Sequence, residues 1–347
     1  MPRRATGSLL RALQLRPDQE WPVLSEVPVP TPRPNEVLLR VRAAGVCRTD
    51  LHLIHNFRQD FDHPLTLGHE IAGEVVSGGE KTEGLNPGQL VIAHHKLVCG
   101  DCEECRRGRE TLCSNARVLG IDRDGGFAEY VTTEASRVLP LPETITAASG
   151  AALTCGGVTA YHALRTVAGV KPSETVLILG TGGVGLFAVQ IAKSIGATVL
   201  AADLRREALD RAGALGADKT VAVSSANPSQ LVNDLGSDAA DVVLDLVGDT
   251  TLAGQLASTL RLGGRYIVTS GRPDDRFPIA PFPLFRRELA FLGSRGSSFA
   301  ELREVLELAA VGKLDSSVTV QASLERGAEL LRRVDAGEVL GRAVILP

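Results

Sequence analysis

The residues best suited to chemistry are concentrated in one short stretch, from Cys47 to His52. This stretch carries a thiol, a guanidinium, a hydroxyl, a carboxylate and an imidazole. His69 follows in a Gly-His-Glu sequence, and another thiol comes much later, at Cys155. Two cysteines and one histidine, far apart in the chain, are the ligand set of an open zinc site that keeps one position for substrate. Such a zinc carries no net charge and polarises an alcohol oxygen.

The neighbours of these residues have both a functional and an ordinary interpretation. Asp50 and Glu70 adjoin the candidate ligands, where a carboxylate commonly orients a ligand imidazole. Thr49 and His52 can pass an alcohol proton to solvent, because a hydroxyl and an imidazole both donate and accept. Singly, a buried cysteine is often a small hydrophobe, and a lone threonine or histidine usually has a local partner. For His52 alone the ordinary interpretation is favoured, and only the whole set favours a site.

A second group of cysteines lies close together in sequence. Four thiols fall within fifteen residues, at Cys99, Cys102, Cys105 and Cys113. Four thiolates around one zinc give a closed site that holds a loop in shape, which this highly charged segment cannot achieve by burying apolar area. The alternatives are a pair of disulfides or an iron–sulfur cluster. The bacterial ferredoxin run has a different last spacing and a following proline, whereas Ser114 follows here. The spacing therefore predicts a structural zinc.

A glycine-rich loop between an apolar strand (175–179) and a helix ending near 195 predicts dinucleotide binding. Its glycines allow close backbone approach, and the helix N-terminus offers N–H groups to a pyrophosphate. Asp203 ends the next strand, where a carboxylate accepts from ribose hydroxyls and repels a 2′-phosphate. This favours NAD, although Arg205 and Arg206 keep NADP open. The loop consists of Gly180, Thr181, Gly182, Gly183, Val184 and Gly185.

Two patterns of elements surround these motifs. Up to about residue 150 the chain predicts short strands separated by turns, at 36–42, 71–76 and 89–93, as in a small irregular barrel. From about residue 159, strands and helices alternate, which predicts a parallel doubly wound sheet. The expected strands there are 175–179, 197–203, 219–223, 241–247, 265–268 and 288–292. The tail, with helices at 300–310 and 324–336 and a strand at 342–346, is expected to return to the first domain.

Composition limits the remaining possibilities. The 347 residues suffice for two domains, and a net charge of −4 without a long basic run argues against nucleic acid as a partner. No apolar run approaches the ~20 residues that span a bilayer, and no apolar segment follows the basic first residues, which argues against a signal peptide. Clustered cysteines in such a chain favour metal over disulfides. We expect a soluble, cytoplasmic protein.

These motifs together resemble the medium-chain zinc alcohol dehydrogenases, from Glu36 to Arg342. The resemblance implies a GroES-like catalytic domain (1–156 and 296–347), a Rossmann domain (157–295), an active site in the cleft between them, and dimers or tetramers. It implies two zinc ions per chain, one at the four-cysteine lobe. The catalytic ligands would be Cys47, His69 and Cys155, with Glu70 as a neighbour. Thr49 and His52 match the proton relay, Asp50 the carboxylate behind the ligand histidine, and Arg48, Arg342 and Thr159 the cofactor contacts.

Two departures bear on the substrate. Family members that act on polyols usually have glutamate at the position of Cys155, which favours simple alcohols here. Before the lobe, the sequence His94-His95-Lys96 stands where many relatives have a bulky apolar residue. These three residues are either a more polar pocket wall or solvated edge residues.

The leading hypothesis is reversible oxidation of a primary or secondary alcohol to an aldehyde or ketone with NAD. A non-catalytic NAD(H) sensor with only structural zinc is the main alternative, although it would not need the set formed by Cys47, Thr49, His52, His69 and Cys155. A sugar or polyol dehydrogenase and an NADP-dependent carbonyl reductase of the same fold stay open. A zinc-free quinone or enone reductase would lack both cysteine sets.

Overall fold

The computed structural model describes residues 8–57, 63–224, 229–235, 239–272, 274–277 and 279–347. Contacts divide the chain into two units. The first consists of Met1–Cys155, Ser298–Ala310 and Ser316–Pro347, and the second of Gly156–Ser297 and Val311–Asp315. No helix among the described residues is both long and apolar enough to cross a membrane.

Strands dominate the first unit, whereas strands and helices alternate in the second. In chain order the strands are β1 (Leu9–Leu15), β2 (Val23–Pro28), β3 (Glu36–Val46), β4 (Leu65–Thr66), β5 (Glu70–Gly78), β6 (Leu90–Ala93), β7 (Lys96–Leu97), β8 (Arg117–Val118), β9 (Tyr130–Glu134), β10 (Val138–Pro140), β11 (Thr175–Leu179), β12 (Thr198–Asp203), β13 (Lys219–Ala222), β14 (Ala240–Asp245), β15 (Leu260–Val268), β16 (Ala290–Gly293), β17 (Val318–Ser323) and β18 (Arg342–Leu346).

The α-helices are α1 (Arg48–His52), α2 (Glu103–Arg106), α3 (Ala147–Ala152), α4 (Val158–Tyr161), α5 (Gly185–Ile195), α6 (Arg206–Ala214), α7 (Ser229–Leu235), α8 (Thr250–Leu256), α9 (Pro281–Arg286), α10 (Phe299–Ala310) and α11 (Gly327–Asp335). Single π-helical turns follow α1, α3 and α4, at Leu53–Phe57, Leu153–Gly157 and His162–Val167. Short 3₁₀ turns lie at Glu110–Leu112, Ala135–Arg137, Ala257–Thr259 and Leu324–Arg326.

The main sheet of the first unit has the order β10-β6-β5-β3-β18-β17, with β9 also paired to β3. The side chains of β3 are buried at nine of its eleven positions, because it packs apolar residues on both faces. Smaller sheets, β2-β1-β4 and β7-β8, complete the unit. The buried core includes Leu39, Val41, Ile71 and Phe127.

The register of this sheet brings distant chemistry together. Gly45 of β3 pairs with Glu70 of β5, and Val46 pairs with Ala343 of β18. The residue after β3 is Cys47, the residue before β5 is His69, and β18 begins at Arg342. Three residues from remote parts of the chain therefore meet at one end of the adjacent strands β5, β3 and β18.

The second unit contains a six-stranded sheet in the order β13-β12-β11-β14-β15-β16. Every pairing in it is parallel, and all five side chains of β11 are buried, as expected for a sheet covered on both faces. The order in which successive strands are added to the sheet reverses between β11 and β14. Ligands bind outside the carboxyl ends of the strands at such a point.

Most of the strands that we predicted are confirmed, and the errors lie at their ends. The strands at 175–179 and 342–346 have the predicted bounds, and α5 ends at Ile195 as expected. Several bounds were wrong: β3 continues past 42 to Val46, β14 stops at Asp245 instead of 247, β15 begins at Leu260 instead of 265, and β16 is Ala290–Gly293 instead of 288–292. The helix predicted at 324–336 is a 3₁₀ turn followed by α11. The first strand, β1, was not predicted.

Candidate functional site

Four metal-binding side chains converge in the first unit. Cys47, His69, Glu70 and Cys155 each place a donor atom within 4.8 Å of the others. The backbone explains the first three, since Cys47 follows β3 and His69 and Glu70 stand where β5 begins. Cys155 lies in the π-helical turn that extends α3. The predicted ligands are thus brought together, with Glu70 beside them.

The spacing of the two thiols fits one tetrahedral metal ion. The sulfur atoms of Cys47 and Cys155 are 4.0 Å apart. Two thiolates bound to one zinc at about 2.3 Å and at tetrahedral angles are roughly 3.8 Å apart. The hydrogen bond from Cys155 lowers the pKa of Cys47, and the same contact, together with burial, raises the pKa of Cys155. This thiol–thiolate pair is suited to binding a cation.

Asp50 contacts two of the candidate ligands. Its Oδ2 accepts the N–H of Cys47 at 2.8 Å, and its Oδ1 lies 3.4 Å from Nδ1 of His69. Asp50 is fully buried, and His69 is 2% exposed. Burial lowers the pKa of His69, but the charges of Asp50 and Cys47 outweigh it and raise that pKa above its ordinary value. The contact with Nδ1 leaves Nε2 as the nitrogen for a metal.

Glu70 and Arg342 form a buried ion pair beside the cluster. Burial raises the pKa of Glu70 to about 7, and the Arg342 guanidinium acts in the opposite direction. The pair needs a glycine next to it, because a Cβ atom on Gly45 would lie 2.0 Å from Oε2 of Glu70. Arg342 was predicted to contact the cofactor, and the contact that the structure gives it is with Glu70.

The remaining predicted residues around this cluster differ in exposure. Thr49 is half-buried, with its Oγ1 3.6 Å from Sγ of Cys47, whereas Arg48 and His52 are exposed on α1. Thr159 lies half-buried in α4 of the second unit. The succession from buried Cys47 to exposed His52 suits transfer of a proton outward.

The interpretation of His94, His95 and Lys96 as solvated edge residues was wrong, since all three are buried. The ring of His95 lies 5.6 Å from that of His69, and its Nδ1 is 3.1 Å from the carbonyl oxygen of Thr154. Burial lowers the pKa of His95 well below its ordinary value and that of His94 to about 4. Both imidazoles are therefore neutral at pH 7.

The four-cysteine lobe forms a second candidate metal centre. The sulfurs of Cys99, Cys102, Cys105 and Cys113 lie within 4.8 Å of one another. Cys99 is 3.6 Å from Cys113 and 4.0 Å from Cys105, again matching thiolates around one zinc. The cysteines are all free, and a backbone hydrogen bond from Cys105 lowers the pKa of Cys102 to about 7.

Two contacts that sequence reasoning missed fasten this lobe to the rest of the first unit. Glu110 accepts hydrogen bonds from Nη1 of Arg137, at 3.0 Å to each oxygen, and from the N–H of Phe299 at 2.9 Å. Lys96 donates from Nζ to the carbonyl oxygen of Thr111 at 3.0 Å. These residues are remote in sequence, and no local pattern pairs them.

The glycine-rich loop follows β11 in the second unit, as predicted. Gly180 has a φ of +92°, which glycine adopts without strain, and a Cβ atom on Gly185 would lie 2.0 Å from the carbonyl oxygen of Gly180. Asp203 ends β12 and accepts from the N–H of Thr181 at 2.7 Å, from its hydroxyl at 3.1 Å and from the N–H of Arg205 at 2.9 Å. The half-buried carboxylate thus stands at the loop, where the sequence predicted a ribose contact. Arg206 lies 3.1 Å from Asp210 on the exposed face of α6.

Two family models match the chain. Residues 33–143 match the alcohol dehydrogenase GroES-like domain, and residues 183–311 match the zinc-binding dehydrogenase domain. The first range contains the four lobe cysteines, Cys47 and His69, and the second contains Asp203.

Individual proteins match over nearly their whole length. The NAD-dependent alcohol dehydrogenase of Sulfurisphaera tokodaii is 35% identical over 335 residues, covering 93% of this chain and 96% of that protein. The alcohol dehydrogenase structure of Aeropyrum pernix has a TM-score of 0.85 at 35% identity, covering 97% of this chain and all of the other. The structure of an acetophenone reductase from Geotrichum candidum, in complex with NAD, has a TM-score of 0.86 at 30% identity, covering 98% of this chain and 97% of the other.

Proposed function

Because this chain belongs to the medium-chain zinc-dependent alcohol dehydrogenase family, we propose that it is an NAD-dependent alcohol dehydrogenase. It interconverts a primary or secondary alcohol with the aldehyde or ketone. The observation that carries this proposal is the convergence of Cys47, His69 and Cys155 in a chain that also has the dinucleotide loop.

Different residues hold the catalytic zinc, the structural zinc and NAD. Cys47, His69 and Cys155 hold the catalytic zinc and leave one position for substrate, and the four lobe thiols hold the structural zinc. NAD is held by Gly180, Gly182, Gly183, Val184 and Gly185 and by Asp203, whereas Arg48, Thr159 and Arg342 stay predictions that rest on the family resemblance. When both groups are bound, zinc supplies Lewis-acid polarisation of the alcohol oxygen and nicotinamide accepts a hydride.

The chain's own residues handle the proton and the orientation of the site. Alcohol oxidation removes one hydride and one proton, and the proton passes through the Thr49 hydroxyl and the His52 imidazole to solvent. The half-buried position of Thr49 and the exposure of His52 support this path. Asp50 fixes the ring of His69 through Nδ1. Glu70 with Arg342 places a carboxylate beside the ligands without an unpaired buried charge.

NAD is preferred over NADP on this proposal. Asp203 lies at the glycine-rich loop, and its charge repels a 2′-phosphate. Arg205 contacts that same carboxylate, with Nε 3.6 Å from Oδ1, so it is already partnered. Cys155 in the ligand set favours simple alcohols over polyols.

Absorbance at 340 nm tests the activity directly. Purified protein is mixed with NAD and a panel of primary and secondary alcohols, and the reverse reaction is run with NADH and matching aldehydes and ketones. We expect turnover with at least one pair, and a lower rate with NADP at the same concentration. NADH binding without turnover of any pair would contradict the proposal and favour the NAD(H) sensor.

A homo-oligomer in the cytoplasm completes the proposal. Strand β16 forms one end of the six-stranded sheet, and Leu292 on it and Phe285 just before it are exposed. Such an edge suits pairing with a second copy. The six free cysteines suit a reducing compartment. Light scattering that shows a monomer would contradict the first point, and cell fractionation tests the second.

A further inference from the structure

One buried carboxylate near the dinucleotide loop has no role in the function proposed so far. Asp245 ends β14, the strand beside β11, and its side chain is fully buried. Its Oδ1 accepts the N–H groups of Val247 and Gly248 at 2.9 Å each. Its Oδ2 accepts the Tyr266 hydroxyl at 2.9 Å. The carboxylate therefore fixes the turn that follows β14.

That turn lies directly against the glycine-rich loop. A Cβ atom on Gly180 would lie 2.9 Å from Cγ2 of Val247, and one on Gly185 would lie 3.3 Å from Cδ1 of Leu246. Leu246 also donates its N–H to the carbonyl oxygen of Leu179, at the end of β11. The path of the glycine-rich loop is thus set against the turn that Asp245 holds.

The same residue also joins the turn after β15. Thr269 donates both its N–H, at 3.1 Å, and its hydroxyl, at 2.9 Å, to the carbonyl oxygen of Asp245. Gly248, with a φ of +77°, approaches so closely that a Cβ atom there would lie 2.8 Å from the carbonyl oxygen of Ser270. The loops after β11, β14 and β15 meet around Asp245, where the strand order reverses and where parallel sheets bind dinucleotides.

We propose that Asp245 is a positioning residue for dinucleotide binding, because it holds the turn 246–248 as the wall against which the glycine-rich loop is placed. It does not contact the cofactor in this role. The exposed side chain of Val247, 51% accessible, is the part of the wall that faces outward. The inference rests on the proposed use of NAD and adds to it a residue outside the glycine-rich loop.

A matched pair of alanine variants separates this role from a general contribution to stability. Asp241 lies on the same strand at its other end, and its Oδ2 accepts the N–H of Thr175 at 2.7 Å and Nη1 of Arg261 at 2.6 Å. Asp245→Ala and Asp241→Ala both remove a carboxylate that joins β14 to its neighbours. Only Asp245 is at the end of the sheet where the dinucleotide loop lies.

The readout is the dissociation constant of NADH, measured by the fluorescence of the bound nucleotide at a temperature where every variant is folded by circular dichroism. We expect Asp245→Ala to raise it about tenfold, because two N–H groups of the wall lose their acceptor. Asp241→Ala should leave it within about twofold, although its melting temperature falls. Asp245→Asn should restore most of the affinity, since its amide oxygen still accepts both N–H groups.

The outcomes are distinct. NADH binding by the wild-type protein with an unchanged dissociation constant in Asp245→Ala would overturn the inference alone. Equal weakening in the Asp245 and Asp241 variants would also overturn it, since the effect would then follow from stability. If Asp245→Ala does not fold, Asp245→Asn and Tyr266→Phe provide the test: we expect about threefold weakening in each and none in Asp241→Asn, and unchanged affinity in both would overturn the inference. Failure of the wild-type protein to bind NADH would overturn the proposed function, and this inference with it.

Discussion

The two metal-binding clusters of the first unit are built in opposite ways. The lobe takes its four thiols from within fifteen residues, and Cys99 is exposed. The buried cluster takes its thiols from positions 108 residues apart: the register of β3 and β5 places Cys47 next to His69, and the π-helical turn after α3 supplies Cys155. A loop without a core of its own depends on its metal for shape, whereas a site on packed strands is formed before the metal binds. The lobe cluster should therefore govern stability, and the buried cluster should govern activity.

Replacing one cysteine by serine in each cluster should separate the two roles most strongly. In the buried cluster, Cys47→Ser should lower kcat/KM for alcohol oxidation by at least about 10³-fold, because Lewis-acid polarisation contributes several kcal/mol. Its melting temperature should stay within about 3 °C of the wild-type value, since β3 and β5 remain packed. NADH formation and calorimetry measure the two quantities. Retained activity in Cys47→Ser would show that this cluster is not the catalytic centre.

In the lobe, Cys105→Ser should act mainly on stability. We expect the melting temperature to fall by roughly 10 °C, because the lobe loses the metal that holds it. Activity at 20 °C should remain within about fivefold of the wild-type value. Calorimetry and NADH formation on the same preparation give both results. An unchanged melting temperature would contradict a structural role for the four thiols.

Removing the ion pair between Glu110 of the lobe and Arg137, here called the clamp, should lower stability by less than loss of the lobe metal. Arg137→Met leaves the Glu110 carboxylate without its bidentate partner, which should cost about 3 kcal/mol of unfolding free energy. Urea unfolding at pH 7 measures this loss of unfolding free energy. Arg326→Met is the matched control, because its partner Glu329 and Arg326 itself are exposed, and its cost should be below about 0.5 kcal/mol. Equal costs would mean that the clamp contributes no more than a surface pair.

The smallest expected effect concerns Asp50, whose carboxylate lies beside the ligands Cys47 and His69. Asp50→Asn keeps an oxygen for the N–H of Cys47 but removes the charge beside Nδ1 of His69. Zinc affinity at the buried cluster should fall about 10–100-fold, as is usual when such a carboxylate is lost. Competition with a chelator measures it, and the lobe zinc in the same sample is an internal reference. If both zinc ions weaken together, the effect does not come from His69.

Local sequence patterns were sufficient where the chemistry itself is local. The glycine-rich loop after β11 and the bounds of β11 and β18 could be predicted, because each depends on neighbouring residues. The lobe cysteines were proposed as one ligand set on spacing, and the structure brings their sulfurs together.

Tertiary contacts explain why the end of β14 and the burial of His94 and Lys96 were not predicted. Leu246 and Val247 continue the apolar run of β14, so they were assigned to the strand, but the Asp245 carboxylate draws the N–H groups of Val247 and Gly248 into a turn. His94 and Lys96 are polar and gave no sign of burial, yet they face Phe299 and the lobe. Their partners lie far away in sequence, and only the folded chain identifies them.

The number of zinc ions per chain tests the assignment of the two metal centres directly. It is measured by elemental analysis of protein prepared in metal-free buffer. We predict two zinc ions in the wild-type protein and one in Cys47→Ser, with the remaining zinc at the lobe. One zinc in both proteins would show that only the lobe binds metal. The proposed dehydrogenase would then lack its Lewis acid, and the central claim would be wrong.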